Sequence, residues 1–379
     1  MSDETFDLLE QAVRTGGSDA AFDFVVQRFR DAKQFPQLFE ARLMKRRREL
    51  GMPLIQTESI GELPGDTRRA YEDAYIDAAR EVGGLYLAEG DIARAWPYFR
   101  AIGETAPVAA AIEKVEPGEG IEPIIEIAFH ERANPRKGFE LILANYGTCS
   151  AITSFEQYPG REGREDSVRV LVRKLHGDLV ESLKHAIATR EETAPDSRHI
   201  PTLVAGRDWL FDENNYHIDT SHLAAVVRFS SELEDRETLT LAVELTEYGR
   251  RLSPLFQYKG HPPFDNIYVD YGIYMQAMMG EDVDAAVAHF RQKVAAADPN
   301  EIGSGPAQVL VGLLARLGRY AAAIDASVDH LSDVELSQLS CPTVVQLCEL
   351  AGDHVRMKEV ARRHGDLLSF AAAVLKSNS

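Results

Sequence analysis

The sequence predicts an all-α protein. Apolar residues recur at helical spacing through most of the chain, strand-like alternation is scarce, and Ala and Leu are common. The first helix is expected over Glu4 to Arg14, with Phe6, Leu9 and Val13 on one face and Gly16-Gly17 ending it. Ser18 or Asp19 then caps a helix whose apolar face carries Phe22, Val25, Val26 and Phe29. Leu38, Phe39 and Leu43 continue the pattern. The run Lys45-Arg46-Arg47-Arg48 after them reads as a solvated helix end rather than a phosphate-binding patch. A loop over Met52 to Pro64, with Pro53, Gly61 and Pro64, separates this opening from the next helix pair.

The pair beyond that loop has a recognisable grammar. Gly83 lets two helices approach closely, and Tyr86 and Phe99 fill the space between them. Gly90-Asp91 makes the turn, Ala95 is small at the crossing, and Pro107 stops the second helix. Pro97 departs from the pattern, but early in a helix its missing N–H does little harm. At this spacing the pair resembles a tetratricopeptide repeat. Weaker echoes lie at Tyr274, Gly280, Ala286, Phe290 and Pro299, and at Leu314, Gly318 and Ala323. Cys341 to Ala351 and Val355 to Ala373 look like a closing pair. The resemblance implies a right-handed superhelix of antiparallel helix pairs with a concave groove, and it implies no particular reaction.

The middle of the chain departs from the repeat pattern. Pro123 starts a helix through Arg132, and Asn134-Pro135 caps another that bends at Gly147-Thr148-Cys149. Glu165-Asp166-Ser167 caps a long helix to Arg190. An irregular insertion then runs from Pro201 to Ser221 and holds Trp209, Phe211 and Asn214-Asn215. The chain thus reads as three regions: an N-terminal repeat region over 1–120, a His-rich centre over 121–264 and a C-terminal repeat region over 265–379, forming one continuous array.

Composition narrows the partners. Of 379 residues 45% are apolar, enough for a sizeable core. A net charge of −19 repels phosphate backbones, which makes nucleic acid a poor candidate partner, and none is expected. Three cysteines without a CxxC pair fit a reducing compartment. The start Met1-Ser2-Asp3-Glu4 has no apolar targeting core, and no run reaches transmembrane length. The expectation is a cytoplasmic protein that does not engage membranes.

The sharpest chemical signal is His217-Ile218-Asp219-Thr220-Ser221-His222, which ends the irregular stretch and opens a helix. Asp219 or Thr220 is the expected N-cap. Two imidazoles and a carboxylate so close in sequence suit a divalent transition metal such as Zn, Mn, Fe or Ni. His130 shares a helix face with Glu126, and His176 falls on the margin of the apolar stripe Val168, Val172, Leu175, Leu179, Leu183, whereas His185 faces solvent. Together His130, His176, His217 and His222 form a candidate metal set, with Asp219 and Cys149 as candidate catalytic groups. Trp209, Tyr216, Lys259 and His261 are candidate substrate contacts. The structural alternatives are simple: a capping aspartate, a packed histidine, a buried thiol, and a turn fixed by Pro262-Pro263.

Two functions are compatible with these residues. In the first, the cluster holds a metal in the groove and the protein is a metal-dependent hydrolase, lyase or isomerase acting on a small molecule. In the second, the groove is a scaffold for a protein or a basic peptide and the histidines are structural. No P-loop, GxGxxG, HExxH or GxSxG motif supports nucleotide or protease chemistry.

Overall fold

The computed structural model describes residues 3–55 and 64–377. Among them no strand forms, and the only ladder-like contact is an isolated bridge between Lys259 and Asn266. The chain divides into two compact units, residues 1–151 with 158–163, and residues 152–157 with 164–379. Whereas the sequence regions follow changes of composition, the compact units divide inside one helix.

The first unit holds α1 (Asp3–Asp31), α2 (Phe35–Glu49), α3 (Gly65–Ala88), α4 (Ile92–Ala101), α5 (Ala106–Ile112), α6 (Glu122–Ile125) and most of α7 (Pro135–Gln157). Gly17, at φ 71°, breaks α1 where the sequence expects a helix end, yet the chain resumes helical geometry at once. Before that break Phe6 and Val13 stay exposed and Leu9 is half-buried, so their stripe joins no core among the described residues. Past it, Val26 joins Phe35, Leu38, Val82, Tyr86 and Phe99 in one cluster.

The α3–α4 pair has the packing its sequence predicts. A Cβ on Gly83 would lie 2.7 Å from the Phe99 ring, so only glycine permits this approach. Gly90 turns the chain at φ +78°, and Asp91 caps α4 by accepting from the Arg94 N–H. Pro107 does something other than expected. Already α4 has ended at Ala101, with Gly103 at φ 71° beyond it, and Pro107 sits in the first turn of α5, where its missing N–H costs nothing.

Two further local expectations change. Arg47, read as part of a solvated run, is buried: its guanidinium donates to the Tyr71 hydroxyl at 2.9 Å and to the Leu54 carbonyl at 3.1 Å. The helix opened by Pro123 widens into a π turn over Glu126–His130 and ends there instead of at Arg132. Gly138 of α7 allows that wide turn to pack closely, since a Cβ there would meet the Phe129 nitrogen at 2.8 Å. The loop expected over Met52 to Pro64 lies partly outside the described residues, Gly61 included.

The second unit begins with the last turns of α7 and continues through α8 (Arg164–Glu191), α9 (Ile200–Val204), α10 (Thr220–Phe229), α11 (Arg236–Arg251) and α12 (Ile267–Met278). It closes with α13 (Val283–Ala296), α14 (Pro299–Ile302), α15 (Gly305–Arg316), α16 (Tyr320–Leu331), α17 (Val344–Ala351), α18 (His354–Arg363) and α19 (Leu367–Ser377). The long α8 buries Val168, Leu171, Val172, Leu175, Leu179 and Leu183, and packs on α10 and α11. At the α11–α12 crossing Gly249 lies under the Tyr268 ring, where a Cβ would come within 2.3 Å. Tyr274 meets Phe290 edge-on at 5.9 Å between α12 and α13, and Gly280 turns the chain at φ +84°. Arg316 ties α15 to the segment before α11, donating to the Ser231 and Leu233 carbonyls at 2.5 Å each. The stretch Val355 to Ala373, read as one helix, is cut into α18 and α19 at Gly365, φ +68°.

Candidate binding face

Each histidine singled out by sequence finds its own surroundings. His130 is exposed at the end of the π turn, in the first unit. His176 is 4% exposed in the second, and its Nε2 lies 2.9 Å from Oε2 of Glu244 on α11. That same oxygen accepts from the Ile200 N–H at 2.8 Å, and Oε1 lies 3.7 Å from Nε2 of His199. Burial pushes the Glu244 carboxyl up, but the hydrogen bonds from His176 and Ile200 and the charges of both imidazoles outweigh it, leaving the group below its ordinary value.

His217 is bound to α11 instead. Its backbone N–H donates to the Tyr248 hydroxyl at 2.8 Å, and its Nδ1 lies 3.3 Å from the same oxygen. Burial lowers the His217 pKa and raises that of Tyr248, so the ring is neutral and the phenol protonated near neutral pH. Asp219 is the N-cap of α10, as expected: Oδ1 accepts from the Ser221 and His222 N–H groups at 2.9 and 3.2 Å, and from the Ser221 hydroxyl at 2.6 Å. The Ser221 bond is the chief reason its pKa is lowered. His222 stands half-buried in the first turn of that helix. Among the described residues no group of three or more His, Cys, Asp or Glu side chains is placed to hold a metal ion.

The other candidates separate likewise. Cys149 is exposed, two residues past the bend at Gly147, φ 78°. Trp209 lies beneath the Arg190 guanidinium at 4.5 Å, and Phe211 stacks between Tyr248 and Arg251. Lys259 and His261 are both exposed on the loop before α12.

Tyr216 joins a larger surface, at whose far end the exposed Lys259 directly follows Tyr258. It stands 54% exposed and meets Phe256 edge-on at 5.1 Å. Leu255 beside it is 76% exposed and Tyr258 42% exposed. Two irregular segments make this face: 212–218 ahead of α10 and 253–258 after α11. They are joined by the Ser253–Asn214 side-chain hydrogen bond and by the Thr220 and Tyr258 hydroxyls, 3.2 Å apart. Glu213 and Asn214 are consecutive non-glycine residues at positive φ, 55° and 62°, and the Asn214 side chain is tied down by its hydrogen bond from Ser253. Asp212, Glu213 and Asp219 are exposed and lie within four residues of Tyr216 in the chain. Beneath, the fully buried Tyr268 hydroxyl has no hydrogen-bond partner among the described residues.

Sequence reasoning missed Glu244 and the Leu255–Tyr258 segment. Glu244 carries a signal, since it lies three residues after Leu241 and four before Tyr248, inside the buried stripe of α11. Leu255-Phe256 carries only a weak one, two large apolar residues behind a proline in a loop. Compared with family models, curated proteins and solved structures, the chain matches none.

Proposed function

We propose that this is a helical-repeat interaction scaffold of tetratricopeptide-like type, and that the Tyr216–Tyr258 face receives a basic, apolar-anchored segment of a partner protein. The observation that carries the reading is the exposure of Tyr216, Leu255 and Tyr258 on two segments joined by the Tyr216–Phe256 ring contact and the Ser253–Asn214 hydrogen bond. Large apolar side chains gathered on a surface mark association sites, and tyrosine is favoured there because its ring buries area at little entropic cost. The carboxylates close to Tyr216 in the chain and the net charge of −19 favour lysine or arginine in the partner. Cation–π contact with Tyr216 suits the same residues.

Panning a displayed peptide library on the protein tests this. Selected peptides should combine Lys or Arg with an aromatic or leucine anchor and should bind less tightly as salt rises. A Tyr216→Ala, Leu255→Ser double variant should weaken them by about tenfold or more, as loss of a buried anchor does, with its melting temperature unchanged. Acidic peptides in the selected pool, or full binding to the double variant, would overturn the proposal.

A further inference from the structure

A cavity lies near the C-terminal end of the same unit, independent of the Tyr216–Tyr258 face. Between α16, the segment 332–343 and the helices α17 and α18 runs a cleft of about 470 Å³. Val328, Leu331, Leu339, Val344, Val345 and Val360 make up its apolar wall. That volume is in the range of small-molecule sites, which are mostly apolar with few polar groups to orient the ligand. Polar or charged residues make up eight of the 17 that line it, and they are unequal. The Asp366 carboxylate is occupied by the Ser369 N–H at 3.0 Å and the Ser369 hydroxyl at 2.5 Å. Arg362 lies over the Phe370 ring at 5.1 Å. Arg363 and His364 border the cleft on consecutive residues, and neither side chain has a protein partner among the described residues. Among those residues Glu335 is the one unengaged acid at the rim.

We infer that this cleft binds an amphipathic monocarboxylate, its apolar chain along the valine and leucine wall and its carboxylate on the Arg363 guanidinium beside His364. A guanidinium fork matches a carboxylate with two parallel N–H donors, which a single rim acid does not offer to an ammonium group. The protein as a whole repels anions at a net charge of −19, so a preference for the anionic probe must arise locally.

Calorimetric titration of the full chain with decanoate, decanol and decylamine, each kept below its aggregation concentration, reads this directly. Decanoate should bind at one site about tenfold more tightly than decanol, the scale of a charge-assisted hydrogen bond. Arg363→Gln, an exposed change that leaves the wall intact, should bring decanoate down to the level of decanol and leave decanol unaltered. Val345→Trp, which fills the cleft, should remove both if its helical circular dichroism is retained. No saturable binding of any probe overturns the inference. So does decanol or decylamine binding as tightly as decanoate, or an Arg363→Gln variant that keeps the wild-type affinity for decanoate.

Discussion

Replacing Glu244 by alanine removes the shared acceptor of two donors, the His176 ring and the Ile200 N–H. Glu244 is 7% exposed and His176 4%, so water does not replace the lost bonds readily. An unsatisfied buried donor costs about 1–3 kcal/mol. Relief of the desolvated carboxylate offsets part of that, and breaking a buried pair by removing one partner costs about 3–5 kcal/mol overall. We expect about 3 kcal/mol, a fall of roughly 6–12 °C in the melting temperature of a unit this size. Glu244→Gln keeps one acceptor oxygen and should cost about 1 kcal/mol. Trp209 reports the second unit alone in a Trp96→Phe background, because these are the chain's two tryptophans and Trp96 belongs to the first unit. The pH dependence has a definite sign. The folded carboxyl titrates below its unfolded value of about 4.3. Its contribution is therefore full above that pH and fades as pH falls through the folded pKa. The gap between wild type and Glu244→Gln should narrow below about pH 4. A Glu244→Ala protein melting within about 1 °C of wild type, or a gap that widens in acid, would refute the dyad's role in holding α8, α9 and α11 together.

Gly83→Ala should destabilise the first unit by about 1–3 kcal/mol in urea titration, because the added carbon meets the Phe99 ring at 2.7 Å and overpacking exceeds the helix-propensity gain; a stabilised variant would show that the ring moves freely. Arg316→Met should cost the second unit about 2–3 kcal/mol by stranding the Ser231 and Leu233 carbonyls, read as a lowered midpoint of Trp209 fluorescence. Elemental analysis of protein incubated with Zn, Mn, Fe or Ni separates the scaffold from the metal-dependent enzyme: no stoichiometric metal is expected of the scaffold, and one equivalent lost on His222→Ala would favour the metal site.

What the sequence makes legible is local. Gly83, Tyr86 and Phe99 announce a close helix crossing because same-face spacing and residue size are both written within one hairpin. Asp219 announces itself as a cap for the same reason. Pro107 is ambiguous by nature, since proline disfavours helix before it and suits the first turn after it, and only the position of Gly103 decides. The inward direction of His176 follows from periodicity, but its partner lies 68 residues away, and nothing local pairs them. Convergence of His130, His176, His217 and His222 is a long-range statement of that kind, and the helical stripe that turns one imidazole inward says nothing of where the others point. Arg47 shows the converse, a charge inside a basic run whose burial depends on Tyr71 across a helix pair.

The division of α7 between the units has a practical consequence. The chain passes from one unit to the other at residues 151, 157 and 163, so no single cut yields two whole pieces. Cleaving before Ile152 takes from the first unit Tyr158, whose ring lies 4.6 Å from Phe129. Cleaving after Gly163 takes from the second Phe155, whose ring lies 4.5 Å from Phe229 and beneath Arg164 at 4.1 Å. Either fragment expressed alone begins or ends with a hole where an aromatic ring belongs, and a dissection of this protein must graft the missing turn rather than trim to a boundary.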